Sequence, residues 1–159
     1  MDRKEHLYDL LKDFDTAMLV TQSGERMHAR PMAVADLRRD ADAYFFTRVG
    51  SPKVDEIAAN AAVTLTFQSS RQFASIYGRV SVVRDRALVE RLWKESFKVW
   101  FPGGKDDPQL AVLRFDAQKG EYWDNAGVAG LQYAFEAAKA YVEGETPKIG
   151  EKVHGKVSL

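Results

Sequence analysis

The sequence predicts an α+β protein, mainly β, in which an antiparallel sheet or small barrel carries helices on its outside. The β-rich runs follow one another in hairpin pairs instead of alternating with helices, which disfavours a doubly wound parallel sheet. The chain has 159 residues, the length of one ordinary domain, and contains no internal repeat. We expect a single domain over residues 1–145 and a flexible, Gly- and Lys-rich tail over 146–159.

The first predicted helix covers residues 2–13, where Asp2 can cap the start and leucines recur at helical spacing. Three strands are then expected at 16–21, 27–36 and 43–48. The second of them contains Pro31. Because proline donates no hydrogen bond to a sheet, we expect Pro31 at an edge or a bulge.

A second helix is expected from Ser51 to about Asn60, since Ser51-Pro52 has the pattern of an N-cap followed by proline at the first helical position. Strands are predicted at 62–68 and 73–84.

The remaining elements follow from helical and strand periods in the second half of the chain. They are a helix at 86–100, a loop at 101–108, strands at 110–115 and 120–124, and a helix at 128–143.

The composition excludes several classes of protein. Lys plus Arg and Asp plus Glu each number 23, so the formal net charge is zero, which argues against a dedicated nucleic-acid binder. The absence of cysteine removes disulfides, thiolate metal sites and thiol catalysis. His6, His28 and His154 are not spaced as metal ligands, so we expect no metal.

The sequence also bears on location. The charged N-terminus lacks the apolar core of a secretory signal, and no apolar run approaches the roughly 20 residues that span a bilayer. We therefore expect a cytoplasmic protein with no membrane partner.

The stretch from Tyr44 to Lys53 combines features of an anion site. A strand ends in Thr47, a tight turn follows, and Ser51 and Lys53 lie at the start of the next helix. Free N–H groups at a helix start favour an anion, and the two hydroxyls and the lysine would add donors. The alternative is that Ser51 only caps the helix and Lys53 only faces solvent.

Two further features leave similar alternatives open. Arg30, inside a strand of small apolar residues, either faces solvent or points at a ligand. Trp100 and Trp123 are less suited to a core than Trp93, which lies on the apolar stripe of a predicted helix. Tryptophans of this kind are common at interfaces and against flat ligands.

Together these segments resemble the flavin-binding split-barrel superfamily of pyridoxamine 5′-phosphate oxidases, over roughly residues 5–125. The matching segments are Arg30-Pro31-Met32-Ala33-Val34, Phe46-Thr47 with Ser51-Pro52-Lys53, Arg71-Gln72, and Glu121-Tyr122-Trp123. Pro52 stands where those oxidases usually carry a second basic residue, and the spacing from Gln72 to Gly78 is one residue long, which suggests a bulge.

One departure is informative. The oxidases follow the last Trp with arginines that grip the substrate phosphate, whereas here the chain continues from Asp124 with no basic residue until Lys139. The loop from Trp100 to Pro108 and the segment Glu121-Tyr122-Trp123-Asp124 are similar instead to the bacterial general stress protein subfamily of this fold.

The resemblance implies an antiparallel split β-barrel of the FMN-binding type and a homodimer with two flavin sites at the subunit interface. FMN is the implied cofactor, with FAD as an alternative because an open pocket mouth would admit the adenylate.

The resemblance also implies the role of each candidate residue. Thr47, Ser51 and Lys53 would hold the FMN phosphate, Phe46 would precede the phosphate-binding Thr47, and Arg30 would meet the phosphate or the ribityl chain. The backbone of Pro31, Met32, Ala33 and Val34 would meet the polar edge of the ring, and Gln72 would reach the ring. Trp100 and Trp123 would form walls around the ring.

Three functions remain compatible with these residues. The first is a flavin-binding general stress protein with weak or unknown turnover, which we favour because no substrate grip is present. The second is a flavin-dependent oxidoreductase acting on an unidentified small molecule other than pyridoxamine phosphate. The third, a structural dimer with a decayed pocket, is disfavoured because Thr47, Ser51 and Lys53 are intact.

Overall fold

The computed structural model of the protein describes residues 2–147, 150 and 153–159. The helices are α1 (Arg3–Leu11), α2 (Pro52–Ala59), α3 (Arg86–Leu92) and α4 (Gly127–Glu143), with a short 3₁₀ helix at Glu95–Val99. The strands are β1 (Thr16–Ser23), β2 (Arg26–Leu37), β3 (Ala43–Arg48), β4 (Ala62–Gln68), β5 (Gln72–Val83), β6 (Leu110–Asp124) and β7 (His154–Ser158).

Six antiparallel strands close into a barrel. Their order is β3-β2-β1-β4-β5-β6, and β3 also pairs with β6, which completes the ring. Alternate side chains fill the interior, as on β4, where Val63, Leu65 and Phe67 are buried. The predicted fold class, an antiparallel split barrel with helices on its outside, is confirmed.

Strand β6 corrects the sequence prediction. The segments 110–115 and 120–124, expected as two strands, form one strand of 15 residues. Its first part pairs with β3 and its last part with β7. Tyr77 pairs with Lys119 and Gly78 with Ala117, so Gln118 is an extra residue that bulges β6. A bulge bends a strand, which lets β6 continue from the barrel wall to a new partner.

The bulge expected between Gln72 and Gly78 is therefore present, but its extra residue, Gln118, lies on β6 and not on β5. Gly78 is required at this point because a Cβ there would lie 2.2 Å from the carbonyl oxygen of Asp116.

The C-terminal tail also differs from expectation. We expected residues 146–159 to be flexible, but His154–Ser158 form β7, which extends the sheet beyond β6. Val153 and Val157 are buried, and this burial explains why the last strand docks on the barrel. Residues 148, 149, 151 and 152 of the expected tail lie outside the described residues.

The predicted helix at 86–100 is wrong in its middle. Asp85 caps α3 by accepting from the backbone N–H groups of Ala87 and Leu88, but Trp93 has an extended backbone that ends the helix. The chain then resumes as the 3₁₀ helix. The break allows Trp93 and Phe97 to pack edge-on against Phe46, with ring centroids 5.5 and 5.2 Å away.

The other predicted elements are confirmed within a few residues. Asp2 caps α1 in a capping box with Glu5. Pro31 is accommodated because β2 pairs with β3 only from Val34 onward, so among the described residues β1 is the one neighbour of the strand at Pro31.

Among the helices of the described residues, none is both long and apolar enough to cross a membrane.

Candidate functional site

An apolar cavity of about 240 Å³ opens between the barrel wall and the 3₁₀ helix. The candidate residues that line it are Pro31, Met32, Ala33, Phe46, Lys53 and Trp100. Thr16, Phe97 and Phe101 complete the lining. The structure thus brings together the middle of β2, the end of β3, the first turn of α2 and the aromatic segment after α3.

A second, more polar cavity of about 350 Å³ adjoins the first. The two share Lys53 and Phe101, and Arg48, Gly50, Ser51 and Gln109 line the rest of the second one. Together they reach the size range of small-molecule sites, about 300–1,000 Å³. Lys53 therefore stands where an apolar cavity meets a polar one.

Lys53 is held by the two hydroxyls with which the sequence analysis grouped it. Its Nζ donates to Ser51 Oγ at 2.7 Å and to Thr47 Oγ1 at 3.4 Å. Thr47 is buried at the end of β3. Burial lowers the pKa of the Lys53 ammonium, and the positive charge of Arg30 lowers it further, against the opposing effect of Glu56. The ammonium is thus a partly desolvated cation that an anion would stabilise.

The side chain of Ser51 does not cap α2. Ser51 occupies the N-cap position of α2, but its side chain makes no capping hydrogen bond. Its oxygen accepts from Lys53 instead. Of the two interpretations left open for Ser51 and Lys53, the one in which they only cap and face solvent does not describe this geometry.

Arg30 lines neither cavity. Its Nη2 donates to Glu56 Oε2 at 2.8 Å, and its side chain is 19% exposed. Glu56, on α2, also accepts hydrogen bonds from Thr21 and His28. Hydrogen bonds from Thr21 and His28, together with that from Arg30, lower the pKa of Glu56 to about 2.

Val34 is also outside both cavities. Its backbone N–H donates to the carbonyl oxygen of Asp15 at 2.9 Å, and its side chain packs against the barrel core.

Gln72 and Trp123 lie elsewhere in the chain, where β5 and the end of β6 pair. Gln72 Nε2 donates to Asp124 Oδ1 at 3.2 Å, and Trp123 stacks on His154 with ring centroids 5.2 Å apart. Neither lines the two cavities, so within one chain they are not brought to Lys53 and Trp100.

A family model described as pyridoxamine 5′-phosphate oxidase like matches residues 2–148. The chain belongs to this family. Protein bli-3 of Neurospora crassa is 31% identical over 83 residues, which cover 46% of this chain and 40% of the relative. The chain thus spans about two fifths of the length of that relative.

Solved structures of the pyridoxamine 5′-phosphate oxidase-like fold confirm the general stress protein subfamily. A protein of Jannaschia sp. CCS1 assigned as general stress protein 26 superposes with a TM-score of 0.73 at 25% identity, over 97% of this chain and 96% of its own. The general stress FMN/FAD binding protein of Xanthomonas citri has a TM-score of 0.67 at 34% identity, over 78% and 89% of the two chains.

Sequence reasoning missed part of the lining in this family member. Phe97 falls inside the continuous helix predicted at 86–100, and only the break after α3 turns it into the cavity. Phe101 lies at the start of the loop predicted at 101–108, to which no role was assigned. Arg48 and Gln109 carry no motif of their own, and they meet because the end of β3 pairs with the start of β6.

Among the described residues, no three metal-ligating side chains converge on one point.

Proposed function

We propose that this chain is a flavin-binding general stress protein that binds FMN, with FAD as an alternative, in the two adjoining cavities. The observation that carries the proposal is the position of Lys53, which is held by Ser51 and Thr47 at the junction of an aromatic cavity and a polar one. FMN has the same division, a flat ring at one end and a phosphate at the other.

The residues present fit such a molecule. Phe46, Phe97 and Trp100 offer aromatic faces to a flat ring, and stacked or edge-on aromatic contacts add to the energy of apolar burial. Lys53 and the Ser51 hydroxyl offer charge-assisted donors to a phosphate, the stronger kind of hydrogen bond. Arg48, paired with Asp107 at 3.7 Å, adds positive charge at the polar end.

When bound, flavin would supply the capacity to accept or donate a hydride. The role of this chain would be to bind it, to orient the ring against Phe46 and Trp100, and to exclude water from its apolar face. We infer weak or unknown turnover, because the segment after Trp123, where the substrate arginines of related oxidases lie, carries no basic residue before Lys139.

A second candidate, a flavin-dependent oxidoreductase of an unidentified small molecule, is favoured by the polar cavity. The polar cavity extends from Lys53 and Ser51 to Arg48 and Gln109, so it has room for more than one phosphate. That room would suit either the adenylate of FAD or a small polar substrate. Anaerobic mixing of the flavin-loaded protein with NADH or NADPH distinguishes the two candidates. Bleaching of the flavin absorbance would show that the flavin is reduced and would support the oxidoreductase.

We further propose a homodimer with the flavin at the subunit interface. Trp100 is 69% exposed although it lines the apolar cavity, so a single chain leaves that wall open to water. Gln72 and Trp123, which resemble flavin-contacting residues of the superfamily, would reach the site only from a partner. A second chain would therefore cover the cavity and complete its lining.

The test of the proposed function is the absorbance spectrum and mass of whatever copurifies with the full chain. We expect a flavin spectrum and the mass of FMN or FAD. A colourless protein that also fails to quench FMN fluorescence in a titration would refute the proposal.

A further inference from the structure

The carboxylate of Glu56 is bound by three side chains from two neighbouring strands. Oε2 accepts from Arg30 Nη2 at 2.8 Å and from the Thr21 hydroxyl, and Oε1 lies 3.0 Å from His28 Nδ1. Thr21 is on β1, and His28 and Arg30 are on β2. The side chain of Glu56 is 12% exposed. Exposed ion pairs contribute little to stability, but a nearly enclosed carboxylate with several donors is held in one place.

The same residue lies one helical turn after Lys53 on α2. Residues three apart on a helix share a face, so Glu56 and Lys53 both project towards the barrel wall. Burial lowers the pKa of Lys53 most, and the positive charge of Arg30 lowers this pKa further, against the opposing effect of Glu56. Glu56 therefore connects to Arg30 through an ion pair and to Lys53 through the helix, and Lys53 is the cation that the two cavities share.

We propose that Glu56 is a positioning residue of the phosphate site: by binding Arg30, Thr21 and His28 it fixes α2 on β1 and β2 and thereby holds Lys53, in the first turn of that helix, where it receives the phosphate. This inference rests on the proposed function. Glu56 itself does not touch the cavities.

The direction of the change in FMN affinity distinguishes this positioning role from a purely electrostatic effect of the Glu56 charge. A carboxylate near an anion site repels the anion, so its removal should tighten phosphate binding if charge alone matters. If Glu56 positions Lys53, its removal frees the first turn of α2. Binding should then weaken although a negative charge has been lost.

The experiment compares Glu56→Gln with Asp55→Asn by fluorescence titration of FMN and of riboflavin, which lacks the phosphate. Asp55 is the adjacent, exposed acid on the same helix, so both variants lose one negative charge from α2. We expect Glu56→Gln to weaken FMN binding by about tenfold or more, the effect of one charge-assisted hydrogen bond. Riboflavin binding should be unchanged, and Asp55→Asn should leave FMN binding equal or slightly tighter.

Three outcomes would overturn the inference. One is a Glu56→Gln variant that binds FMN as tightly as the parent protein or more tightly. Another is an equal weakening of FMN and riboflavin binding, which would indicate a general loss of structure. The third is an Asp55→Asn variant that weakens FMN binding as much as Glu56→Gln does.

A second variant keeps the test decisive if Glu56→Gln does not fold. Glu56→Asp retains the charge but shortens the side chain, so it should lose contacts to β1 and β2 and weaken FMN binding while riboflavin binding is kept. Unchanged FMN binding in that variant would also overturn the inference. If the parent protein binds neither FMN nor riboflavin, the proposed function itself fails, which is a different result from normal binding by the parent and by the variants.

Discussion

Lys53 is the side chain on which the phosphate site depends. We expect Lys53→Ala to weaken FMN binding by about 1.5–3 kcal/mol, the contribution of a hydrogen bond to a charged group. The melting temperature without ligand should hardly change, because the partly buried ammonium gains little from folding. Fluorescence titration and thermal unfolding measure the two quantities.

Lys98→Ala provides the matched control. Lys98 is a nearby exposed cation on the 3₁₀ helix, paired with Glu95 at 2.9 Å, and lines neither cavity. Equal FMN affinities for the parent protein and Lys53→Ala would remove Lys53 from the site.

The lowered pKa of a second single residue, Glu56, predicts that the stability of the protein depends on pH. Its pKa is lowered from 4.5 to about 2 in the folded protein, so folding favours the ionised form. This stabilisation is complete above pH 4.5 and is lost as the pH falls from 4.5 towards 2. The melting temperature of the parent protein should therefore exceed that of Glu56→Gln at neutral pH, and the two should converge in acid. A difference that stays constant down to pH 2 would show that the carboxylate charge is not its source.

At the scale of elements, the segment that follows β6 bears on substrate choice. The Asp124 carboxylate is hydrogen-bonded to His6 and Gln72. Helix α4 begins at Gly127, and no basic residue follows Asp124 before Lys139. Related oxidases place their substrate arginines in this segment. Losing two charge-assisted contacts to a phosphate would cost roughly 3–6 kcal/mol, about a hundredfold to ten-thousandfold in rate.

We therefore expect no useful oxidation of pyridoxamine phosphate by the flavin-loaded protein. The measurement is formation of hydrogen peroxide or pyridoxal phosphate. Turnover comparable to that of a true oxidase would show that other cations supply the grip.

The elements show what the sequence could and could not predict. Strands β3 and β4 were predicted to the residue because strong β-rich runs end at clear turn signals. The 86–100 helix failed because helical periodicity does not reveal the break at Trp93, which packing against Phe46 favours. Strand β7 was missed because it lies in a Gly- and Lys-rich tail and its five residues carry little strand signal, whereas pairing with β6, the burial of Val157 and the stacking of Trp123 on His154 stabilise it.

The candidate site was predictable in part for a similar reason. Residues close in sequence, such as Thr47, Ser51 and Lys53, could be grouped from spacing alone, and the structure brings them together. Contacts between distant segments, such as the Arg30–Glu56 ion pair, depend on how α2 lies against β1 and β2. No local pattern in the sequence reports that packing.

At the scale of the whole molecule, exposed apolar side chains predict a dimer. Besides Trp100, helix α4 exposes Leu131, Phe135, Tyr141 and Val142 by 69% to 88%. Each aromatic side chain can bury about 150–250 Å², so these residues approach the roughly 800 Å² per partner of a stable interface. We expect a light-scattering mass near twice 17.9 kDa at micromolar concentration.

Variants of α4 test that interface. The double variant Leu131→Glu with Phe135→Glu should shift the protein towards the monomer, whereas Gln132→Glu, an exposed polar position on the same helix, should remain dimeric. A parent protein of one-chain mass would contradict the dimer and the interface site together.

The most direct test of the central claim is a crystal structure of the full chain with FMN. The account predicts the phosphate within hydrogen-bond distance of Lys53 Nζ and Ser51 Oγ, and the ring in the apolar cavity beside Phe46 and Trp100. The chain offers another cavity, about 430 Å³, between β5, β6 and β7, where Lys119 and Lys156 lie near Tyr77. FMN bound there, with the Lys53 cavities left to solvent, would contradict the account.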